Sequence, residues 1–396
     1  MNTRNYGMDL LRCLSIAFVV LAHLYLIYPP GGKMQALSMV FSLLDGVTIF
    51  FVLSGFLVGY QLFSCFESAN NANNAKLRRF FISRWFKTLP SYYTMLVLLY
   101  FLNYAYVQES GIQVSEYLIF IQNFNKSHPK FFLEAWSLSV EEWFYLATPA
   151  LLLLLIRGLR IRPKLAFLYV SLLFWIGAHV TRSYYLYNAS FATMEDFGLI
   201  LRNRVLSRMD APAFGILAAW LYIYRPSFFL KQNSKRFILL WILILLLVIC
   251  NYFLYQIIKD GFTVNLGSHP LLSLSGLLYF DLSQGIILLL LPHFFRIKAP
   301  QNAWRKVITY ISKLSYSIYL VHSSLVIGSL LPFFNQWVGH QKMMVLMIYL
   351  VLVAICALLL YYVVEQPFFR LKKRLIKGTQ PPSDNLLSTH QAAAPM

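Results

Sequence analysis

The sequence predicts an all-α polytopic membrane protein: a bundle of about ten transmembrane helices with both termini cytoplasmic. Three observations carry this. Of 396 residues, 59% are hydrophobic and only 12% charged, about half the charge fraction of a soluble domain. Apolar runs of roughly 20 residues, the length that crosses a bilayer, recur along the whole chain. Lysine and arginine crowd into alternate loops, the pattern of a cytoplasmic membrane face. A disordered chain and an ordinary soluble enzyme are both excluded.

The runs follow in order. The first, 9–28, begins with Asp9 and Arg12 and has no small-residue cleavage site, so it is a span and not a signal peptide. The second, 42–63, holds GVTIFFVLSGFLVG. The third, 89–107, follows a polar connector (64–88) that contains ESANNANNAK and a basic run. The fourth, 138–156, stops at Arg157, and the fifth, 165–187, follows Arg162 and Lys164. The sixth, 205–224, holds RMDAPAFG and stops at Arg225. The seventh, 237–257, follows Lys235 and Arg236. The eighth, 270–294, stops before Arg296, and the ninth, 307–331, follows Arg305 and Lys306. The tenth, 343–364, leads into VEQPFF. With this alternation one set of loops carries 23 basic residues and the opposite set 7. The rich side is the cytoplasmic one. The same asymmetry accounts for most of the net charge of +19, so no nucleic-acid partner is expected.

No loop exceeds about 30 residues on this count, so residues 1–376 form one membrane domain. Residues 377–396, small and polar with two prolines together, are expected to be a disordered cytoplasmic tail. Cys13, Cys65, Cys250 and Cys356 are isolated in or beside apolar runs. They predict buried thiols, with no disulfide framework and no metal site.

Ionisable residues inside spans are costly and mark candidate chemistry. Arg12 and His23 are eleven residues apart, about 20° from three full turns, so they share one helix face about 16 Å apart. Arginine suits a phosphate, and histidine suits a hydroxyl proton. An extended pantetheine arm is of comparable length. On spacing alone, interfacial anchoring by Arg12 and an interhelical bond from His23 are the simpler account of the pair. In WSLSVEEWFYL, Glu141 and Glu142 diverge by about 100° and cannot both face one site; an ion pair with Arg208 is one alternative for Glu141. In LSYSIYLVH, Tyr316, Tyr319 and His322 form a polar stripe at every third residue, which suits interhelical bonding as well as chemistry. Arg84 and Lys87 share a helical face that could hold an anionic donor or lipid headgroups.

Taken together these segments resemble acyltransferase family 3. The resemblance runs from MDLLRCLSIAFVVLAH to VEQPFF and includes GVTIFFVLSGFLVG, RRFFISRWFKTLPSYY, WSLSVEEWFYLATP, RMDAPAFGILAAW and LSYSIYLVH. It implies a membrane O-acyltransferase that moves an acyl group, usually acetyl, from cytoplasmic acetyl-CoA (acyl-CoA) to a hydroxyl of a cell-surface or lipid-linked glycan such as lipopolysaccharide O-antigen, in a bacterial inner membrane. It implies that His23 is catalytic with Glu141 in the site, and that Arg12, Arg84 and Lys87 bind the donor. Ser54, Tyr316, Tyr319 and His322 are candidates for the oxyanion or acceptor site. The implied partners are the glycan acceptor and membrane lipid. Two positions depart from the family's pattern: Lys87 stands where a second arginine is usual, and Thr48 where an acidic residue is usual, with Asp45 three residues away. Phe124, Phe131 and Trp136, in loops on the acceptor side, could stack on sugars or form an interfacial belt. A proton-coupled transporter or flippase is the rival reading, against which stand the absence of repeat symmetry and of paired broken helices.

Overall fold

The computed structural model describes residues 5–27, 45–66, 74–189, 191, 193–230, 234–261, 270–338 and 342–377. Among them the regular structure is helical throughout. The main helices are α1 (Tyr6–Ile27), α2 (Gly46–Cys65), α3 (Asn74–Leu102), α4 (Ala135–Leu153), α5 (Pro163–Asn188), α6 (Asp210–Tyr224), α7 (Ser234–Asp260), α8 (Pro270–Arg296), α9 (Trp304–Val321), α10 (Lys342–Leu360) and α11 (Gln366–Lys377). π-helical turns extend α4 through Leu154–Gly158, α9 through His322–Leu330 and α10 through Tyr361–Glu365.

Each of the ten expected spans falls on helix. Eight helical stretches among the described residues are long and apolar enough to cross a membrane. The other two expected spans lie on α3 and α6. α6 has 15 residues, about 22 Å against a hydrocarbon core of about 30 Å. α3 begins inside what the sequence presents as a connecting loop. Residues 74–88 are helical because Leu77, Phe80 and Phe81, at i, i+3 and i+4, pack into the core. Residues 67–73 of the expected connector, and the expected tail beyond Lys377, lie outside the described residues.

The layers follow from composition. α7 is the most lipid-like: Ile238, Leu239, Leu245, Leu246 and Phe253 are exposed on it. α10 exposes Met343, Met347 and Val351. α2 is the most enclosed span and crosses α6 at glycine. A Cβ on Gly215 would lie 2.2 Å from the Val52 carbonyl oxygen, and one on Gly55 would lie 2.0 Å from that of Pro212. Only glycine lets two helix backbones approach this closely.

The segment between α3 and α4 is folded against the bundle. Gln122 donates to Ser139 Oγ (2.6 Å), and Asn123 to the carbonyls of Trp136 (3.1 Å) and Asn203 (2.7 Å). His128 donates from Nε2 to the Phe132 carbonyl (2.8 Å) and is buried; burial pushes its ring down to about 4. Phe131 and Trp136 are core side chains, and Phe124 packs on Trp143 at 4.8 Å. This segment thus uses its aromatics for packing and not as an interfacial belt. Of the four cysteines only Cys65 is buried; Cys250 is exposed, on the lipid side of α7.

Candidate active site

Arg12 and His23 lie on α1 as the spacing requires. Arg12 Nη1 is 3.3 Å from Asp9 Oδ1, and Asp9 also accepts from Ser312 Oγ at 2.9 Å, tying α1 to α9. His23 Nδ1 is 2.9 Å from the Val19 carbonyl. A carbonyl only accepts, so Nδ1 carries the proton and Nε2 presents its lone pair.

His322 meets His23. The rings stand edge to face, with centroids 4.6 Å apart and planes at 87°. His322 Nδ1 lies 2.6 Å from the Tyr319 carbonyl, while its buried Nε2 has no partner. By the same logic that nitrogen is an acceptor, so neutral His322 cannot donate to an oxyanion. The π-helical turn begins at this residue, and π-bulges are common at functional sites. Glu134 holds the turn. Its Oε1 accepts from the backbone N–H of Ser323 (3.0 Å) and Ser324 (2.8 Å), and its Oε2 accepts from Ser324 Oγ. Glu134 Oε1 also lies 3.9 Å from His322 Nδ1.

A second network lies toward the start of α1. Ser54 Oγ is 2.8 Å from Tyr145 Oη, which donates to Glu141 Oε2 at 3.1 Å. Arg84 donates to Gln61 Oε1 (2.9 Å), with its guanidinium 5.4 Å from the Tyr145 ring centroid. Glu142 faces the other way and accepts from Thr88 Oγ1 at 2.7 Å, and Tyr316 Oη donates to the Thr88 carbonyl at 2.8 Å. Lys87 has as electrostatic neighbours Arg12, Arg84, Glu141 and Glu365. Its side chain is exposed. Arg12, His23, Glu141 and Tyr316 are half-buried.

A third cluster borders the histidines. A Cβ on Gly46 would lie 2.3 Å from the Ser15 carbonyl oxygen and 2.8 Å from Val19 Cγ2. Asp45, the residue before Gly46, is an electrostatic neighbour of His23. Asp45 Oδ1 accepts from Val47 N–H (3.0 Å) and from Arg202 Nη2 (2.7 Å); Oδ2 accepts from Thr48 Oγ1 (2.6 Å) and lies 3.5 Å from Arg208. Arg208 also donates to Thr48 Oγ1. Asp45 therefore bonds the threonine that stands where the family's acid is usual. Arg208 pairs with Asp45, and Glu141 bonds Tyr145. Asp210 pairs with buried Arg182 and accepts from Gln284 (2.8 Å).

Of the residues singled out in sequence, the fold brings His322 to His23, and Tyr319 to His322 at 5.6 Å between ring centroids. Tyr319 Oη is 2.6 Å from Ser137 Oγ. Ser54 and Tyr316 are bonded into the Glu141 and Thr88 networks. Sequence reasoning missed Glu134, which precedes WSLSVEE by one alanine, and Arg202, which it counted only as a loop charge. An acid beside an apolar run was the available signal for Glu134.

Comparison with known proteins bears on the family. A family model described as an acyltransferase domain, that of acyltransferase family 3, matches residues 5–363. The peptidoglycan O-acetyltransferase of Listeria monocytogenes is 29% identical over 174 residues, 40% of this chain and 26% of that protein. A Bacillus subtilis protein provisionally named a peptidoglycan O-acetyltransferase is 25% identical over 386 residues, 91% of this chain and 54% of that protein. A Staphylococcus aureus protein provisionally named an O-acetyltransferase is 25% identical over 388 residues, covering 91% and 57%. The chain thus spans about half, or less, of the length of these relatives. No solved structure matches. This chain, an all-α polytopic membrane protein, belongs to acyltransferase family 3.

Proposed function

We propose that this chain transfers an acetyl group from acetyl-CoA to a hydroxyl of a cell-surface or lipid-linked glycan, in a bacterial inner membrane. The observation that carries the reading is the state of His23. Its Nδ1 is bonded to the Val19 carbonyl, so Nε2 is a free base, on the helix face that carries Arg12 about 16 Å away. Arg12, Lys87 and Arg84 hold the phosphates of the donor. The pantetheine arm runs along the interior toward the histidines. His23 Nε2 takes the proton of the acceptor hydroxyl as its oxygen attacks the thioester carbonyl. The C–S bond breaks, and the imidazolium returns the proton to the leaving thiolate. Glu141, bonded by Tyr145, is the counter-charge to Lys87 and Arg84.

The named relatives favour a peptidoglycan acceptor over lipopolysaccharide among the glycans. Membranes containing the protein should O-acetylate their glycan only when acetyl-CoA is supplied. A correctly folded His23→Ala protein should lose at least about a hundredfold in rate, the usual worth of a general base. Full activity in that variant would refute the assignment.

A further inference from the structure

Among the described residues beside His23 is a cluster with more guanidiniums than carboxylates. Arg202, Arg208 and Arg182 face Asp45 and Asp210, three guanidiniums to two carboxylates. Arg182 and Arg208 are 0% and 1% exposed, and each leaves Nε and Nη1 without a partner. The ring of Phe280 lies 4.2 Å and 5.2 Å from their guanidinium carbons. An aromatic face attracts a cation but is no substitute for an anion. Arg208 has Asp210, Asp45, Arg182 and Arg202 as electrostatic neighbours, so among the described residues of this cluster positive charge exceeds negative. Such a charge is costly to keep unless something negative visits it.

Arg202 is where that visit can occur. A third of its side chain is open, and its bond is the one from Nη2 to Asp45. Its guanidinium lies 5.0 Å from the Trp136 ring centroid. The next residue, Ser137, bonds Tyr319, whose ring packs on His322, which packs on His23. From the other side, Gly46 packs on Ser15 and Val19 of α1, next to Asp45. Arg202 and Asp45 are both electrostatic neighbours of His23, so only a short space separates Arg202 from the histidine pair.

We propose that this space receives a sugar carrying an anion, a carboxylate or a phosphate ester, with the anion on Arg202 and the reacting hydroxyl on His23. The placement of the hydroxyl rests on the acyl-transfer reading above; the anion contact rests on the arginine cluster alone. A neutral sugar leaves the guanidinium without its missing acceptor. A site built around a polar contact discriminates strongly against ligands that lack it.

The test uses the purified chain in detergent and follows ligand-induced rises in unfolding midpoint with glucuronic acid, glucose 6-phosphate and glucose. Glucuronic acid or glucose 6-phosphate should raise the midpoint and glucose should not; the larger of the two shifts identifies carboxylate or phosphate. Arg202→Gln should weaken the anion's affinity about tenfold or more, as loss of a charge-assisted bond does. Arg202→Lys should keep the response. Equal shifts with glucose, no shift with any of the three, or an anion response that survives Arg202→Gln would overturn the proposal. Acetyl transfer from acetyl-CoA to the membrane glycan is scored separately. Its absence with anion selectivity intact refutes acyl transfer alone, and its presence without anion selectivity refutes this inference alone.

Discussion

Glu134 allows charge and hydrogen bonding to be separated by two substitutions. Its Oε1 takes two backbone N–H groups and its Oε2 takes the Ser324 hydroxyl, all buried at the start of the π-helical turn. In Glu134→Gln the amide oxygen can replace Oε1 and keep both N–H bonds. The amide nitrogen then stands where Oε2 stood, and the Ser324 hydroxyl can rotate to accept instead of donate. All three contacts survive; what is lost is the charge that strengthens them. Charged acceptors exceed neutral ones by about 1 kcal/mol per bond, and removing a buried charge returns part of that. The expected loss is about 1–2 kcal/mol. Glu134→Ala leaves two N–H groups and a hydroxyl without partners and opens a void, for an expected loss of about 3–5 kcal/mol. Unfolding of both variants in detergent, read at matched protein concentration, gives the comparison. Acetyl transfer should follow the same order, because the turn sets where His322 meets His23. Equal losses for Gln and Ala would refute the hydrogen-bond account, since the charge alone would then hold the turn.

Arg12→Ala should raise the KM for acetyl-CoA about tenfold or more while changing kcat little; steady-state kinetics with the donor varied decides this, and an unchanged donor KM would remove Arg12 from the donor site. Gly215→Ala places a methyl 2.2 Å from the Val52 carbonyl oxygen, 2.5 Å from Phe56 N and 2.6 Å from Gly55 Cα. These are backbone atoms that cannot rotate away, so a destabilisation of about 2 kcal/mol or more is expected in an unfolding assay, and an unchanged midpoint would refute the close crossing. His128 is pushed down to about 4 by burial, below its unfolded value. Its contribution is therefore present above about pH 6.5 and is lost as pH falls toward 4, by up to about 3 kcal/mol. The midpoint of the wild type should fall over that window more steeply than that of His128→Asn, and parallel curves would refute the assignment.

The helical frame was legible because about 20 apolar residues leave few alternatives, and the basic residues between them gave the loops. The reading went astray where a helix earned its place by packing. Residues 74–88 look like a loop on charge, yet Leu77, Phe80 and Phe81 anchor them as helix. Arg12 and His23 could be paired from sequence because one helix carries both, and periodicity is a local rule. The meeting of His23 with His322 could not, because 299 positions separate them and no periodicity spans two helices. Asp45 stands three residues from Thr48 in sequence. As the residue before α2 it folds back onto that helix's first turn, and three residues is the spacing at which such a side chain reaches Thr48. Ser54 and Tyr316 show the converse: polar residues in spans that mark the right region while their hydroxyls serve neighbouring helices.

The three intramembrane arginines differ in when their counter-ions arrive during synthesis. Arg12 carries its own, since Asp9 is three residues earlier on the same turn; α1 can enter lipid as a nearly neutral rod. Arg208 follows Asp45 by 163 positions and finds it already made. Arg182 has neither advantage, because Asp210 is translated 28 residues after it. A lone arginine in a span opposes insertion, by roughly 2.5–3.5 kcal/mol at a helix centre and by less toward the end, where Arg182 lies. Its pairing with Asp210 therefore favours entry of α5 and α6 together.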